Sequence, residues 1–390
     1  MNLRNNRFIG GILLVAGTAI GAGMLAIPVI TSFAGFFPSL LLLALVWLFL
    51  YLTARLLLDV NLASPGQVNF ISMVGRTLGP FWKGICWVIY LLLLYSLTAA
   101  YISGSASFFQ NITYFLTGWE IPFWVKPFPL LIFFGIFIYL GTKSVDRINR
   151  ILMIGLIASY FFLIAFLPPY IDTSLFTHSD SPTLFLAVPV IITAFGFHII
   201  IPTLTTYLNH DAKVLRLTIL IGSLIPFVVY VIWEFLTLGT IPVSSLQEAY
   251  RCGESAINPL VRTLQIPSIS FIAQFFSFFA IVTSFLGVSL SLSDFLTDGL
   301  KMRRYSFGRE MASLLTFVPP LIFVYAYPRG FLLALEYAGF FVAILLCIFP
   351  ALMAWKLPKY RSFSRRFFLC SILLISFFVI GLSILDTCSN

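Results

Sequence analysis

Charged residues are scarce in this chain. Asp, Glu, Lys and Arg make up 9% of its 390 residues, whereas a soluble domain contains about a quarter. Hydrophobic residues account for 60% of the chain, and no long polar or low-complexity segment divides it. This composition excludes a soluble protein and predicts a helical membrane protein with many spans, organised as a single transmembrane domain over residues 1–390.

Cysteine and histidine are also rare, and this limits the available chemistry. The five cysteines show no C-x-x-C pair and no Cys/His ligand spacing, and their odd number argues against a complete disulfide framework. We therefore expect no cofactor and no metal site. The apolar runs contain His198, Glu234 and Glu336, which are too scattered to form the convergent polar set of a membrane-embedded enzyme.

Eleven apolar runs are long enough to cross a membrane, so the predicted fold is all-α and polytopic, with about 11 transmembrane helices. The runs cover residues 8–30, 36–58, 81–109, 126–142, 151–168, 183–206, 217–239, 267–293, 310–327, 330–352 and 367–386.

Lys and Arg are distributed unevenly between the two sides that these runs define. With a cytoplasmic N-terminus, all but four of the 23 Lys and Arg lie at cytoplasmic loops or helix ends. By the positive-inside rule, this pattern predicts a cytoplasmic N-terminus and an exported C-terminus. The net charge of +9 is explained by topology, so nucleic acid is not expected as a partner. The four exceptions are Lys126, Arg251, Arg262 and Arg329.

Three glycines interrupt the first run near the middle of the membrane, within the segment G-T-A-I-G-A-G-M-L-A-I-P at 17–28. Gly17, Gly21 and Gly23 lack Cβ atoms, and Pro28 has no backbone donor, so the helix can open there. Opened backbone is tolerated at this depth only where it is buried in protein or lines a polar cavity. For a single such helix, close helix packing through small residues is the alternative explanation.

A second interruption repeats this plan in the sixth run, where residues 193–204 read T-A-F-G-F-H-I-I-I-P-T-L. Paired broken helices are the strongest sequence indication of a transporter site. Their separation by five spans predicts the inverted 5+5 arrangement of LeuT-type transporters, in which helices 1 and 6 are broken. The repeats would cover about 8–168 and 183–352, with one extra helix at about 367–386.

Opened backbone suits a zwitterionic amino acid. N–H groups of the first break can bind its carboxylate with help from the helix dipole, and carbonyl groups of the second break can bind its ammonium group. The phenyl rings beside the second break would suit an aromatic or large apolar side chain. The residues predicted to bind substrate in this way are Gly21, Ala22, Gly23, Met24, Phe195, Gly196 and Phe197.

Five polar residues are further candidates. Tyr95 and Ser96 lie near mid-depth in the third span and are predicted to contact substrate. His198 is predicted to contact substrate or to accept and release a coupling proton, unless it is a neutral structural histidine. Thr283 and Ser284 offer oxygen ligands for a small hard cation, although such hydroxyls often bond to their own helix.

The other polar features have simpler expected roles. Glu234 and Glu336 lie near the outer third of their runs, where snorkelling or local pairing is favoured. Asp59 lies at a cytoplasmic helix end, where we expect a solvated or capping carboxylate. The exported loop at 240–265 is either a lid over the site or a passive connector.

Four motifs together resemble the hydroxy and aromatic amino acid permeases, the tyrosine and tryptophan permease family of the amino acid/polyamine/organocation group. They are G-T-A-I-G-A-G-M-L-A-I-P at 17–28, L-L-D-V-N-L at 57–62, F-G-F-H-I-I-I-P-T-L at 195–204 and S-F-L-G-V-S-L-S-L-S-D-F-L-T-D-G-L at 284–300. Two departures stand out. Asp59 replaces the glutamate that the family favours, and the run 151–168 lacks the lysine that some proton-coupled relatives carry.

The resemblance implies a proton-coupled importer of tyrosine or tryptophan in the bacterial inner membrane, which would place the exported C-terminus in the periplasm. Its partners would be the aromatic amino acid, a coupling proton and the lipid bilayer. Coupling to sodium and broader specificity for neutral amino acids remain alternatives. A channel is a further alternative, and it would need rings of carbonyls or charges along an open pore.

Overall fold

The structure is a computed structural model that describes residues 3–64, 66, 68–305, 307–327 and 329–389. All regular secondary structure in these ranges is helical. The α-helices in these ranges are α1 (Leu3–Ala19), α2 (Gly23–Thr31), α3 (Phe36–Ala63), α4 (Phe70–Leu78), α5 (Pro80–Thr117), α6 (Phe128–Leu140), α7 (Thr142–Phe166), α8 (Val188–Ala194), α9 (Ile201–Tyr207), α10 (Ala212–Thr240), α11 (Val243–Cys252), α12 (Ile257–Leu264), α13 (Pro267–Gly299), α14 (Gly308–Ala326), α15 (Gly330–Val342), α16 (Phe349–Trp355) and α17 (Phe363–Ser389).

Each of the eleven predicted runs coincides with helix. Among the described residues, eight helical stretches are long and apolar enough to span a membrane, and the bent pair Asn6–Ala19 and Gly23–Thr31 makes a ninth. The runs 126–142 and 310–327 correspond to α6 and α14, which do not meet that criterion by themselves. Helix α6 has 13 residues, or about 20 Å of length. The prediction of an all-α polytopic membrane protein is confirmed.

Both predicted interruptions are breaks in the helices. The axes on either side of the first break, between α1 and α2, differ by 53°. In the sixth run, α8 ends at Ala194 and α9 begins at Ile201, with a short 3₁₀ turn at His198–Ile200 between them. Pro28 and Pro202 fall within the helices that follow the breaks. The glycines therefore mark the breaks, and each proline lies on the far side of its break.

Helix packing follows a paired pattern. Helix α1 packs on α10, and α9 packs on α3; in the same way, α13 packs on α7, and α15 packs on α5. Helices α2 and α8 contact each other at the centre, as do α5 and α13. Helix α17 packs outside this set, against α15, α16 and the π-helical segment Ala343–Ile348 between them. The two breaks consequently meet in the middle of the bundle.

Asp59 connects three parts of the chain at one end of the bundle, which we term the basic end because Arg216 and Lys359 lie there. Its carboxylate accepts a 2.6 Å bond from Lys359 and a 2.6 Å bond from the hydroxyl of Tyr360, and it lies 3.5 Å from Arg216. Burial, together with this carboxylate, raises the pKa of Tyr360, which keeps the phenol neutral as a donor. The expectation of a solvated or capping carboxylate is wrong, because Asp59 joins α3, the start of α10 and the segment before α17.

The opposite end of the bundle is closed by direct packing. A Cβ atom on Gly339 would overlap the carbonyl oxygen of Pro189, so α15 approaches α8 backbone to backbone. The segment 240–265 forms α11 and α12, and α11 packs on α2. The backbone N–H of Ala256 donates to the carbonyl oxygen of Leu25 over 3.0 Å. Residues 240–265 therefore cover α2 at the end of the bundle opposite the basic end.

Candidate functional site

The first break exposes backbone groups that a continuous helix would pair internally. The N–H group of Ala22 donates to the hydroxyl oxygen of Ser284 on α13 over 3.1 Å. A Cβ atom on Gly21 would overlap that hydroxyl, and one on Gly23 would lie 3.2 Å from Cα and Cβ of Ala194. Glycine at these two positions allows α13 and α8 to approach the opened backbone this closely.

A tyrosine of α10 connects the two breaks. The hydroxyl of Tyr230 lies 2.7 Å from the carbonyl oxygen of Ala19 and 3.0 Å from that of Ala194. These carbonyls belong to the last residues of α1 and α8, where helical acceptors lose their usual donors. Since a phenol has a single proton, Tyr230 can donate a full hydrogen bond to only one of these two carbonyl oxygens at a time.

A cavity of about 380 Å³ lies between the breaks, within the size range of small-molecule sites. Its walls come from both breaks, from α5, α7 and α13, and from one residue of α15. None of the lining side chains that the structure describes is charged. The lining residues are Gly17, Thr18, Ala19, Ile20, Gly21, Ala22, Gly23, Tyr90, Leu93, Leu94, Leu97, Tyr101, Asn149, Met153, Thr193, Ala194, Gly196, Ile199, Ile200, Thr283, Ser284, Gly287, Val288, Ser291 and Leu335.

The cavity extends from the breaks toward the basic end. Asn149 and Met153 lie in the first half of α7, Tyr90 lies near the start of α5, and Ser291 lies in the last third of α13. Gly17 borders it without any heavy atom within 4 Å of an added Cβ. On the opposite side, the close packing of α8 against α15 limits the space. The site thus faces the end that carries the basic loops.

The structure brings together part of the predicted site. Predicted residues that line the cavity are Gly21, Ala22, Gly23, Gly196, Thr283 and Ser284. Predicted residues that lie outside the lining are Met24, Tyr95, Ser96, Phe195, Phe197 and His198.

The aromatic and imidazole rings among the outlying residues have partners elsewhere. The ring of Phe195 packs on Tyr230 with centroids 5.0 Å apart, and the ring of Phe197 packs on His198 at 5.1 Å. The imidazole Nε2 lies 2.9 Å from the hydroxyl oxygen of Thr53. All three side chains are fully buried. Aromatic faces reach the cavity from α5 instead.

Tyr95 also points away from the cavity. Its hydroxyl donates to the carbonyl oxygen of Leu315 on α14 over 2.9 Å. Six residues further along α5, Tyr101 lines the cavity and is 7% exposed. Both tyrosines lie near the middle of the third span, but depth alone does not reveal which face of the helix turns toward the breaks.

The two hydroxyls of α13 are bonded within their own helix. Thr283 Oγ1 donates to the carbonyl oxygen of Phe279 over 2.7 Å, and Ser284 Oγ donates to that of Ala280 over 2.8 Å. Ser284 also accepts the N–H of Ala22. Ser284 therefore joins α13 to the first break, and each hydroxyl retains lone pairs toward the cavity.

Sequence reasoning missed several contributors, among them Asn149 and Tyr230. Asn149 supplies a polar side chain to the lining from the start of the fifth span, where its position among basic residues suggested a solvated loop. Tyr230 lies in a run without glycine breaks or motifs, so only its contacts with Ala19 and Ala194 indicate its role. The phenol is a strong donor within an apolar helix, and that was the available signal.

Sequence comparisons give a consistent result over nearly the whole chain. Residues 4–388 match the family described as the tryptophan/tyrosine permease family. The chain is 36% identical to the tyrosine-specific transport system 1 of Haemophilus influenzae over 90% of this chain and 88% of that protein. It is 32% identical to a tryptophan-specific transport protein of the same organism over 94% and 93%. Identity to the low affinity tryptophan permease of Escherichia coli (strain K12) is 30% over 90% and 87%.

Proposed function

This chain belongs to the tryptophan/tyrosine permease family, and we propose on that basis that it imports tyrosine or tryptophan across the bacterial inner membrane as a secondary active transporter. It is a multi-pass membrane permease rather than an enzyme. The relatives at 36% and 32% identity are named for tyrosine and tryptophan transport respectively. These names support an aromatic substrate and leave the choice between the two to experiment.

The cavity between the two broken helices is the observation that carries this proposal. Its lining lacks charged side chains, as suits a substrate without net charge whose own charges are met by backbone dipoles. The first turn of α2, around Gly23, binds the carboxylate. Carbonyl groups near Gly196 bind the ammonium group, and the rings of Tyr90 and Tyr101 enclose the aromatic side chain.

Transport proceeds by alternating access within an inverted 5+5 arrangement. The paired packing supports this reading, because exchanging the first five spans with the next five converts the α1–α10 contact into the α8–α3 contact and the α2–α10 contact into the α9–α3 contact. The same exchange converts the α13–α7 contact into the α15–α5 contact. The repeats cover about 8–168 and 183–352, and the helix at about 367–386 is additional.

The described conformation faces the cytoplasm. The cavity extends toward the basic end, where Asp59, Arg216 and Lys359 come from three separate parts of the chain. Basic loops are retained on the cytoplasmic side, so the N-terminus is cytoplasmic and the C-terminus periplasmic. The substrate would leave toward Asn149 after the opposite end has closed.

Import is driven by a proton gradient, with sodium as the second candidate. Thr283 and Ser284 contribute hydroxyl oxygens beside the first break, which is the observation that favours sodium. Neither is a charged ligand, and both already donate to their own helix. His198 remains a predicted coupling residue, with its imidazole bonded to Thr53 outside the cavity lining.

Initial uptake of labelled tyrosine into proteoliposomes tests the proposal. We expect a pH gradient alone to drive accumulation, and unlabelled tyrosine and tryptophan to compete better than leucine or alanine. Preloaded substrate should accelerate uptake by exchange, which a channel cannot do. If leucine competes better than tyrosine and tryptophan, the proposal of an aromatic substrate is wrong. If tyrosine accumulates only in the presence of a sodium gradient, and the double variant Thr283→Ala with Ser284→Ala abolishes this accumulation, the coupling ion is sodium and not the proton.

A further inference from the structure

Glu234 is a fully buried carboxyl group in the second half of α10. Its exposed fraction is 0%, so it does not snorkel to the interface as its sequence position suggested. Oε1 lies 2.9 Å from the hydroxyl oxygen of Thr31, the last residue of α2. Oε2 has no hydrogen-bond partner among the described residues. An ionised carboxylate in such surroundings would be strongly disfavoured without a cation.

The hydrogen bonds of Thr31 indicate which protonation state fits this geometry. Its hydroxyl has one proton, and its oxygen lies 2.8 Å from the carbonyl oxygen of Ile27, an acceptor that cannot donate. If the threonine donates to Ile27, the 2.9 Å contact with Glu234 needs a proton from the carboxyl group. The neutral acid therefore forms both bonds at once, whereas the ionised form would have to give up the bond to Ile27.

Among the described residues, the elements packed against this part of α10 carry few titratable groups. Helix α2 contains no titratable residue. The segment 168–178 contributes Tyr170, Asp172 and His178, whose ring nitrogen lies 2.9 Å from the carbonyl oxygen of Phe33. Tyr250 of α11 packs its ring on that same phenylalanine.

The remaining charged groups near α10 lie toward the basic end. Arg216, which pairs with Asp59 of α3, precedes Glu234 by about 27 Å along the helix axis. Tyr51 and Arg55 lie in the second half of α3, whereas α3 begins beside Thr31. None of the ion pairs found among the described residues includes Glu234.

Glu234 is also connected to the substrate cavity. Tyr230 lies one helical turn before it on α10 and contacts the ends of α1 and α8. The partner of Glu234, Thr31, is the last residue of α2, and the first residue of that helix, Gly23, lines the cavity. A charge on Glu234 would be buried without a paired cation, and it would cost the bond between Thr31 and Ile27 within α2. The ionised form would therefore favour a conformation in which water reaches the carboxylate.

We propose that Glu234 binds the proton that drives import. In its neutral form it holds α2 closed at the opposite end; in the conformation open to that end, the carboxylate takes a proton from the external water. After the cavity faces the basic end, the carboxyl group releases the proton toward the cytoplasmic water through the region of Tyr230. The assignment rests on the proposed function, since it identifies the site of proton coupling within that transporter.

The test separates proton coupling from substrate binding by means of three variants in proteoliposomes. Glu234→Gln keeps the size and hydrogen bonds of the neutral acid but cannot release a proton. Glu234→Asp keeps a titratable group. Glu336→Gln is the matched control, because it makes the same substitution at a glutamate of α15 that is only partly buried.

With one proton per substrate, a gradient of one pH unit supports accumulation of about tenfold. We expect wild type and Glu336→Gln to approach this ratio and to acidify vesicles containing a pH-sensitive dye. Glu234→Gln should exchange labelled for unlabelled substrate at a rate within about twofold of wild type, since chemistry at the cavity is unchanged, but should accumulate none. Glu234→Asp should accumulate substrate again.

Accumulation by Glu234→Gln at the wild-type ratio would overturn the assignment. If that variant also loses exchange, Glu234→Asp decides: pH-driven accumulation by Asp supports the assignment, and its loss in folded, monodisperse protein rejects it. If a pH gradient does not drive substrate accumulation by the wild-type protein, proton coupling itself is refuted. In that case the proposed function has failed, and not only the assignment of Glu234.

Discussion

The hydroxyl of Tyr230 donates to the carbonyl oxygen of Ala19 over 2.7 Å and so ties α10 to the end of α1. The same hydroxyl is 3.0 Å from the carbonyl oxygen of Ala194 at the end of α8. One phenol proton is therefore shared by the two broken helices that enclose the cavity. A movement of either helix relative to α10 would change the balance between these two contacts.

Removal of this hydroxyl should impair transport more than it impairs folding. Tyr230→Phe keeps the packing on Phe195 but removes the one proton that the two carbonyl oxygens share, and a buried carbonyl left without a donor costs about 1–3 kcal/mol. We expect a lowered maximal uptake rate with a correctly inserted protein. Tyr160→Phe is the control, because it removes a 2.8 Å bond to the carbonyl oxygen of Val229 outside the cavity lining. Equal uptake in both variants would contradict a role at the breaks.

A side chain at Gly23 should abolish uptake while insertion continues. A Cβ atom there lies only 3.2 Å from Cα and Cβ of Ala194, so the branches of Gly23→Val would separate the two breaks and fill the space beside the substrate. Binding of labelled substrate to purified protein measures the effect. Gly84→Val in α5, where an added Cβ meets nothing within 4 Å, should bind normally. Wild-type affinity in Gly23→Val would remove the proposed site.

The role of His198 can be decided by a substitution that keeps its hydrogen bond. Nε2 lies 2.9 Å from Thr53 and the ring is outside the cavity lining, so we expect His198→Gln to retain accumulation under a pH gradient. Uptake driven by the pH gradient and exchange are measured in the same preparation. Retained exchange with lost accumulation would instead support the proton relay that the sequence predicts for His198.

Asp59 should contribute to stability through its two cations. Asp59→Asn removes the charge that faces Lys359 at 2.6 Å and Arg216 at 3.5 Å. Because these cations are partly exposed, we expect a loss of about 1 kcal/mol or somewhat more, reduced by added salt. Thermal unfolding in detergent at low and high salt measures it. Asp146→Asn, which breaks the exposed pair with Arg150, should change the unfolding temperature less.

The sequence predicted the helical class, both helix breaks and the family, because each is a local property of the chain. Apolar runs have the length that a bilayer imposes, and closely spaced glycines lower the helix propensity of the segment that contains them. The same reasoning selected Gly21, Gly23 and Gly196, which line the cavity. It also selected Phe195 and Phe197, because proximity to a break in sequence was treated as proximity to the cavity.

By itself, then, the sequence determined where the backbone opens and which segments of the chain form helices. Only the tertiary structure decided which side chains meet there, because that depends on the rotation of each helix about its axis. Tyr101 lines the cavity while Tyr95 bonds to α14, although both lie on α5. Glu234 is buried against Thr31 rather than extended to the interface, since the burial of a carboxyl group depends on the neighbouring helices and not on its depth in one.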